Sequence, residues 1–427
     1  MKNIDGDIRV IINNLTSLFI LQIANYILPL ITIPYLVRVL GPEKYGLLSF
    51  SQAFLQYFIL LTDYGFNFTA TKKISIYRDD ATKLSRIFIN TIIIKGCLAL
   101  LSLIILISIV LLIPKFKNDL VIYLFSYGSI IGSVLLPVWF FQGIEKMKYI
   151  TGLTLLSKLL FTVLIFYFIK NQSDYIFVPL LNSIGSVLAG IISLVIIFKK
   201  IELNSAIFDK KMIIHDLFDG WYLFLSSFAR SFYSVSNSFI LGLLTDNITV
   251  GYFSAGEKIV SAIQGLITPI SQSVYPYISK LAAKSKNETL LFLKKLFFIF
   301  AGFGMLLSII LFIFAELIVG ILLGNQYYIS ITIIKMLACL PFISAINNVF
   351  GVQTLLPFGL NKAFSTIVIK AGFINLIMAI FLIPIYSYKG ICVSVVLTEI
   401  IITILLFNCH RKYKISFINK NGKILSN

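Results

Sequence analysis

Apolar runs of 18 to 27 residues recur from one end of this chain to the other, separated by short polar breaks. Each is long enough to cross the roughly 30 Å hydrocarbon core of a bilayer as a helix. Backbone amides and carbonyls find no water there, so only helices and closed barrels can span it. Barrel strands alternate apolar and polar residues in short segments, and these runs do not. The chain therefore reads as an all-α, multi-pass membrane protein. At 58% hydrophobic residues in 427, it carries more apolar surface than a soluble fold of this size hides.

Twelve transmembrane helices are predicted, over 15–37, 45–67, 87–113, 120–142, 150–169, 175–198, 220–244, 250–277, 296–323, 329–356, 363–385 and 390–409. They group into an N-terminal six-helix bundle (1–198), a cytoplasmic linker (199–219), a C-terminal six-helix bundle (220–409) and a basic tail (410–427). The first polar residues and the long apolar run after them do not read as a cleaved signal, so the first span is expected to stay in the membrane.

The 36 Lys and Arg outnumber the 18 Asp and Glu. Alternate loops, counted with both termini, hold 24 basic residues; the opposite loops hold six. That asymmetry places both termini in the cytoplasm, as an even span count requires. Nucleic acid is not an expected partner, because no extramembrane domain is left to bind it. The four cysteines show no metal spacing, and no nucleophile–base pair, phosphate loop or carboxylate dyad occurs. The reading is of a transporter and not an enzyme, with no cofactor and no metal. His215 and His410 are expected at the cytoplasmic face, as surface residues or neighbours of phosphate headgroups.

A half-length repeat supports two bundles. Aligning Gly46 with Gly251 also pairs Ser49 with Ser254 and Gln52 with Glu257, an offset of 205 residues. Halves of six spans share one orientation, and such halves place the substrate site between them. Polar stripes fall on the corresponding helices. In span 8, Ser254, Glu257, Ser261, Gln264, Thr268 and Gln272 lie within an arc of about 80° at 100° per residue. In span 2, Ser49, Gln52, Gln56 and Asp63 lie within about 60°. Span 1 offers Gln22, Asn25, Pro29 and Thr32. Span 7 offers Arg230 at mid-membrane with Ser226, Tyr233, Ser234 and Asn237 on the same face. These stripes are expected to line a wet cavity.

A guanidinium at mid-span costs about 2.5–3.5 kcal/mol on insertion scales. It is tolerated against protein, water or an anionic ligand. Its fork takes two phosphate oxygens at once and it does not deprotonate, so the expected ligand is a lipid-bound anion. Among the other charges within spans, Lys95 is expected to reach the cytoplasm along its aliphatic stem. Lys258 stands beside Glu257 but about 100° around the helix, so the two need not pair. Glu316 and Lys335 are placed near the outer interface, and Lys370 and Glu399 are expected to pair between spans 11 and 12. Pro29, Pro34, Gly265 and Pro269 are candidate bending points.

Several stretches resemble the Wzx-type O-antigen and polysaccharide flippases of the multidrug/oligosaccharidyl-lipid/polysaccharide exporter superfamily, which also holds MATE drug exporters and lipid II flippases. They are R-V-L-G-P-E-K-Y-G (Arg38 to Gly46), T-D-Y-G-F-N (Thr62 to Asn67), W-F-F-Q-G-I-E-K-M-K-Y (Trp139 to Tyr149), G-Y-F-S-A-G-E-K (Gly251 to Lys258) and P-F-G-L-N-K (Pro357 to Lys362). The resemblance implies two six-helix bundles forming a V-shaped, MATE-like cavity in the bacterial inner membrane. It implies an undecaprenyl-pyrophosphate-linked oligosaccharide as substrate, an O-antigen or capsule repeat unit, moved from the cytoplasmic to the periplasmic leaflet. The expected partners are that substrate, the surrounding membrane lipids, a polysaccharide polymerase and a chain-length regulator, with one copy of the chain as the working unit. Cationic residues line the lumen in that family, which points to Arg230 and Lys258. Asp63 and Glu257 are the best-placed carboxylates for a coupling ion. The alternatives are a cation-coupled MATE-like drug antiporter and a lipid II flippase.

Overall fold

The computed structural model describes residues 4–200 and 236–415, together with ten positions between 213 and 228. Among the described residues every regular element is helical. Nine helices there are long and apolar enough to cross a membrane. The chain divides into two compact units, residues 1–228 and 229–427. The division falls inside the segment predicted as span 7: its described residues up to Phe228, with Asp216 just before them, pack on the first unit, and Ser236–Leu244 belongs to the second. Phe224 stacks on Tyr64, Phe228 meets Tyr57, and Asp216 forms an ion pair with Lys73.

In the first unit, α1 (Ile4–Asp63) is 60 residues long, about 90 Å if straight and far more than one bilayer. Gly41 breaks it with φ 70° and ψ 172°, a backbone state that glycine adopts at no steric cost. Pro42 follows and restarts the helix, as proline does at a first turn. Pro29 and Pro34 stay inside the first leg. The remaining elements are α2 (Phe66–Ile76), α3 (Ala81–Leu112), α4 (Leu120–Leu135), α5 (Val138–Gly143), α6 (Met147–Phe168) and α7 (Phe177–Lys200). The predicted fourth span is interrupted at Leu136-Pro137, where the residue before proline turns extended. α5 then buries Trp139, Phe140 and Phe141, and the Trp139 carbonyl accepts from Thr71 of α2.

Side-chain bonds give the direction of each helix. The first leg of α1 runs parallel to α6: Thr151 donates to the Ser17 carbonyl at 2.8 Å, Lys158 to Asn25 Oδ1 at 2.6 Å and Tyr35 to the Ile169 carbonyl at 2.6 Å. The second leg and its continuation in α2 run parallel to α4 and α5, with Ser51 at Ser126 and, further on, Thr71 at the Trp139 carbonyl. α3 is antiparallel to α4, through Ser102 and Tyr127 at 2.7 Å and the Phe88–Trp139 contact. α4 lies parallel to α7, with Gly128 on Ser183 and Gly132 on Ser186. Small residues at that seam let two backbones approach closely in lipid.

That seam carries a prediction. A Cβ on Gly132 would lie 2.6 Å from the Ser186 backbone carbonyl carbon, whereas one on Gly96 meets nothing within 4 Å. Gly132→Val is expected to cost about 1–3 kcal/mol or more by overpacking. Thermal unfolding of the purified protein should drop for that variant and stay unchanged for Gly96→Ala; equal behaviour of the two would disprove the close seam.

The second unit holds α8 (Ser236–Leu244), α9 (Asn247–Gly265), α10 (Ile267–Lys284), α11 (Lys286–Ile313), α12 (Tyr328–Leu337), α13 (Leu340–Phe350), α14 (Asn361–Tyr386) and α15 (Tyr388–Lys412). The predicted eighth span breaks at Leu266, beside Gly265 and ahead of Pro269. Proline lacks the amide that would continue the ladder across this joint. α9 and α10 run parallel to α12 and α13, as Ser330 on the Tyr252 carbonyl, Gln264 on Ser344 and Ser271 on Asn348 require. α11 is antiparallel to α13, with Ser308 accepting from the Phe342 amide and Phe297 stacked on Phe350. α13 is parallel to α15, with Asn347 at Glu399 and Thr403 and, further along both helices, the Phe350 carbonyl at His410. Three pairings of the first unit, those of the second leg with α4, of α3 with α4 and of α4 with α7, thus recur in the second with the same directions.

Candidate functional site

Four of the residues expected around the anion, Arg230, Ser226, Tyr233 and Ser234, lie outside the described residues. Of the others, Gln52, Gln56, Asn237, Glu257 and Gln264 fall into two cavities, one inside each unit. In the first unit, a cavity of about 300 Å³ is lined by Leu48, Gln52, Leu55, Gln56 and Ile59 of α1, Ser126 and Ser129 of α4, and Val178, Pro179 and Asn182 of α7. In the second, a cavity of about 200 Å³ is lined by Asn237 of α8, Phe253, Glu257, Val260, Ser261 and Gln264 of α9, Leu337 and Leu340 of the α12–α13 segment, and Val395 and Glu399 of α15.

The two linings correspond position by position. The five residues from α1 and the five from α9 are 205 apart in every case. Ser126 and Ser129 precede Leu337 and Leu340 by 211, and Val178 and Asn182 precede Val395 and Glu399 by 217. A match of three elements, each at its own constant offset, makes the half repeat a property of the fold. The chemistry differs between copies. Gln52 and Asn182 in the first cavity are replaced by Glu257 and Glu399 in the second, so a neutral amide lining becomes an acidic one.

Helical spacing explains which side chains meet. Residues three and four apart share a face, so Gln52, Gln56 and Ile59 project together, as do Glu257, Ser261 and Gln264. Around the second cavity, Ser238 lies 3.1 Å from Ser254 and donates to Glu257 Oε2 at 3.4 Å. Asn347 donates to Glu399 Oε2 at 2.6 Å. Asn237 is buried, and its Oδ1 has no hydrogen-bond partner among the described residues. Gln264 donates to Ser344 at 3.2 Å. Lys258 is half-buried and does not line the cavity. The stripe of span 8 is divided by the break at Leu266: its first part faces the cavity, while Gln272 on α10 is exposed.

Other expected residues have different surroundings. Asn25 accepts from Lys158 and lines neither cavity. Asp63 receives Lys95 at 2.8 Å on one oxygen and Asn67 at 3.2 Å on the other. Lys95 is only 1% exposed, so it does not reach for an interface; it turns inward to a carboxylate. Glu399 does not pair with Lys370, which is exposed; Asn347 takes that place. Glu316 and Lys335, expected at the interface, bond to each other at 2.7 Å. His410 is buried with its Nε2 2.8 Å from the Phe350 carbonyl, not at a headgroup. His215 lies outside the described residues.

Sequence reasoning missed Asn182, Ser126, Ser129 and the cavity role of Glu399. The repeat was a signal that could have found them. Its offset grows by six residues from each matched element to the next, so a search at one fixed offset loses register after span 2.

The comparisons with known proteins agree with this architecture. Residues 11–282 match the family model described as "Polysaccharide biosynthesis protein". A protein of Escherichia coli strain K12 named for O-antigen transport is 34% identical over 402 residues, covering 94% of this chain and 97% of that one. Among solved structures, a MATE-family multidrug resistance transporter in an inward-facing conformation superposes with a TM-score of 0.69 at 13% identity, covering 93% of this chain and 96% of that one. The lipid II flippase MurJ superposes with a TM-score of 0.67 at 14% identity, covering 94% and 87%. Likeness at such identity shows a shared fold. The near-full-length sequence match and the family model together make this chain a Wzx-type member of the polysaccharide biosynthesis protein family.

Proposed function

We propose that the protein is a flippase that carries an undecaprenyl-pyrophosphate-linked oligosaccharide, the repeat unit of an O-antigen or capsule, from the cytoplasmic to the periplasmic leaflet of the bacterial inner membrane. The observation that carries this reading is the similarity over nearly the whole chain to a protein named for O-antigen transport. Twelve spans in two repeated halves, with both termini cytoplasmic, are the topology consistent with the loop charges and with the repeated helix pairings. Rocking of one half against the other would move the opening from one face to the other. The pyrophosphate is held by Arg230, the sugars travel in the hydrated space, and the polyprenyl tail stays in lipid.

Of the two carboxylates considered for a coupling ion, Asp63 is engaged by Lys95 and Asn67, whereas Glu257 faces a cavity. Glu257 is the group proposed to exchange a proton or other cation. Deletion of the gene, followed by extraction of lipid-linked saccharides, tests the whole reading. Glycosylated polyprenyl pyrophosphate should accumulate and surface polymer should disappear, with both reversed by the wild-type gene. Undisturbed surface polymer, or drug sensitivity as the sole defect, would reject it in favour of a drug antiporter.

A further inference from the structure

We infer that the cavity of the first unit is a subsite for a single uncharged sugar ring, with Gln52, Gln56 and Asn182 as its specificity-determining residues; this rests on the proposed flippase function and adds a place where the glycan is read. Three observations support it. First, none of the described residues hydrogen-bonds the side-chain amides of Gln52, Gln56 or Asn182, although all three line one cavity within the membrane helices. A polar group at that depth needs water or a ligand, since lipid offers no partner. Second, the lining carries no charged side chain. Each amide brings two N–H donors and one carbonyl acceptor. The Ser129 hydroxyl donates to the Ser126 carbonyl and keeps its oxygen free to accept, whereas the Ser126 hydroxyl is engaged by the Ile122 carbonyl and Ser51. A phosphate only accepts hydrogen bonds, so it would leave the amide carbonyl oxygens unpaired and would find no counter-charge in this lining. Sugar hydroxyls both donate and accept, and they match this mixture. Third, the cavity of about 300 Å³ is at the small end of ligand pockets, about 300–1,000 Å³, which suits one ring and not a whole repeat unit.

The duplicated cavity sharpens the assignment. At the same two positions the second unit carries Glu257 and Glu399. The repeat therefore has two versions, one acidic and one neutral. The neutral one has kept hydrogen-bonding capacity while holding no charge that would attract an ion.

The test uses the full-length protein in lipid nanodiscs and two probes: undecaprenyl pyrophosphate without sugar, and the glycosylated undecaprenyl pyrophosphate extracted from cells lacking this transporter. Wild type is expected to prefer the glycosylated probe. Gln56→Leu/Asn182→Leu should reduce that preference about tenfold, the worth of one or two hydrogen bonds, and leave the affinity for the bare pyrophosphate unchanged. Gln56→Ala/Asn182→Ala should act in the same way without added bulk. An unchanged preference in both double variants, or an equal loss for both probes, overturns the subsite and means that the amides hold water or packing. A wild type that binds the bare probe as well as the glycosylated one also overturns it while leaving the flippase reading intact. A wild type that binds neither probe removes the flippase reading itself.

Discussion

Replacing Arg230 by Ala is expected to abolish surface polysaccharide while the protein remains inserted at wild-type levels. Helical spacing in the sequence puts Arg230 on one face with Ser226, Tyr233, Ser234 and Asn237, and under the proposed function Ala would remove two charge-assisted hydrogen bonds to the pyrophosphate. At about 1.5–3 kcal/mol each, their loss lowers affinity by about 100-fold or more. The same change makes the span more apolar and eases insertion by about 2.5 kcal/mol, so a missing product cannot be blamed on a missing protein. Arg230→Lys should restore part of the function, because the charge stays and the two-pronged geometry goes. Immunoblots of surface polymer, read beside the accumulated lipid-linked intermediates and the membrane level of the protein, measure this. Normal export by the Ala variant would rule out the anion clamp.

Asp63→Asn should be among the most destabilising single substitutions in the first unit. Lys95 is buried, and its ammonium is held by Asp63 at 2.8 Å. Removing the carboxylate leaves a buried cation without its counter-charge, which costs about 3–5 kcal/mol. Removing both charges is milder, because apolar replacements of a buried pair are often neutral. Asp63→Asn/Lys95→Met should therefore recover most of the thermal stability lost by Asp63→Asn alone. An additive double variant would show that the two side chains do not depend on each other. The pair also belongs to one half of the duplication only: 205 residues on, the offset of its helix, Asp63 corresponds to the uncharged Thr268. It is thus not a requirement of the repeated fold, and transport can be assayed in the double variant to separate a coupling role from a structural one.

The membrane class and the helix-rich architecture were legible from run length alone, since a bilayer leaves the backbone almost no other choice. The turn at Gly41-Pro42 and the break at Gly265 were equally readable, because glycine and proline act on the local backbone. The break at Leu136-Pro137 carried the same local signal, but the apolar run continued through it. Side-chain partners were not legible. Lys95 read as a residue reaching for the interface, and it is an inward ion pair. Glu399 read as the partner of Lys370, and it meets Asn347 and a cavity. His410 read as a headgroup neighbour, and it bonds the Phe350 carbonyl.

What the sequence determined by itself was periodicity, length and charge asymmetry: which segments can enter lipid, which faces are polar, and that the chain is built twice. Those properties are local or additive along the chain, so order in the sequence preserves them. The tertiary structure alone decided which polar faces converge. Gln52, Ser126 and Asn182 become one cavity only because α1, α4 and α7 lie side by side, with α4 and α7 held close at a seam of small residues. A contact between segments scores of residues apart depends on helix direction, rotation and register together, and none of these is written at any single position.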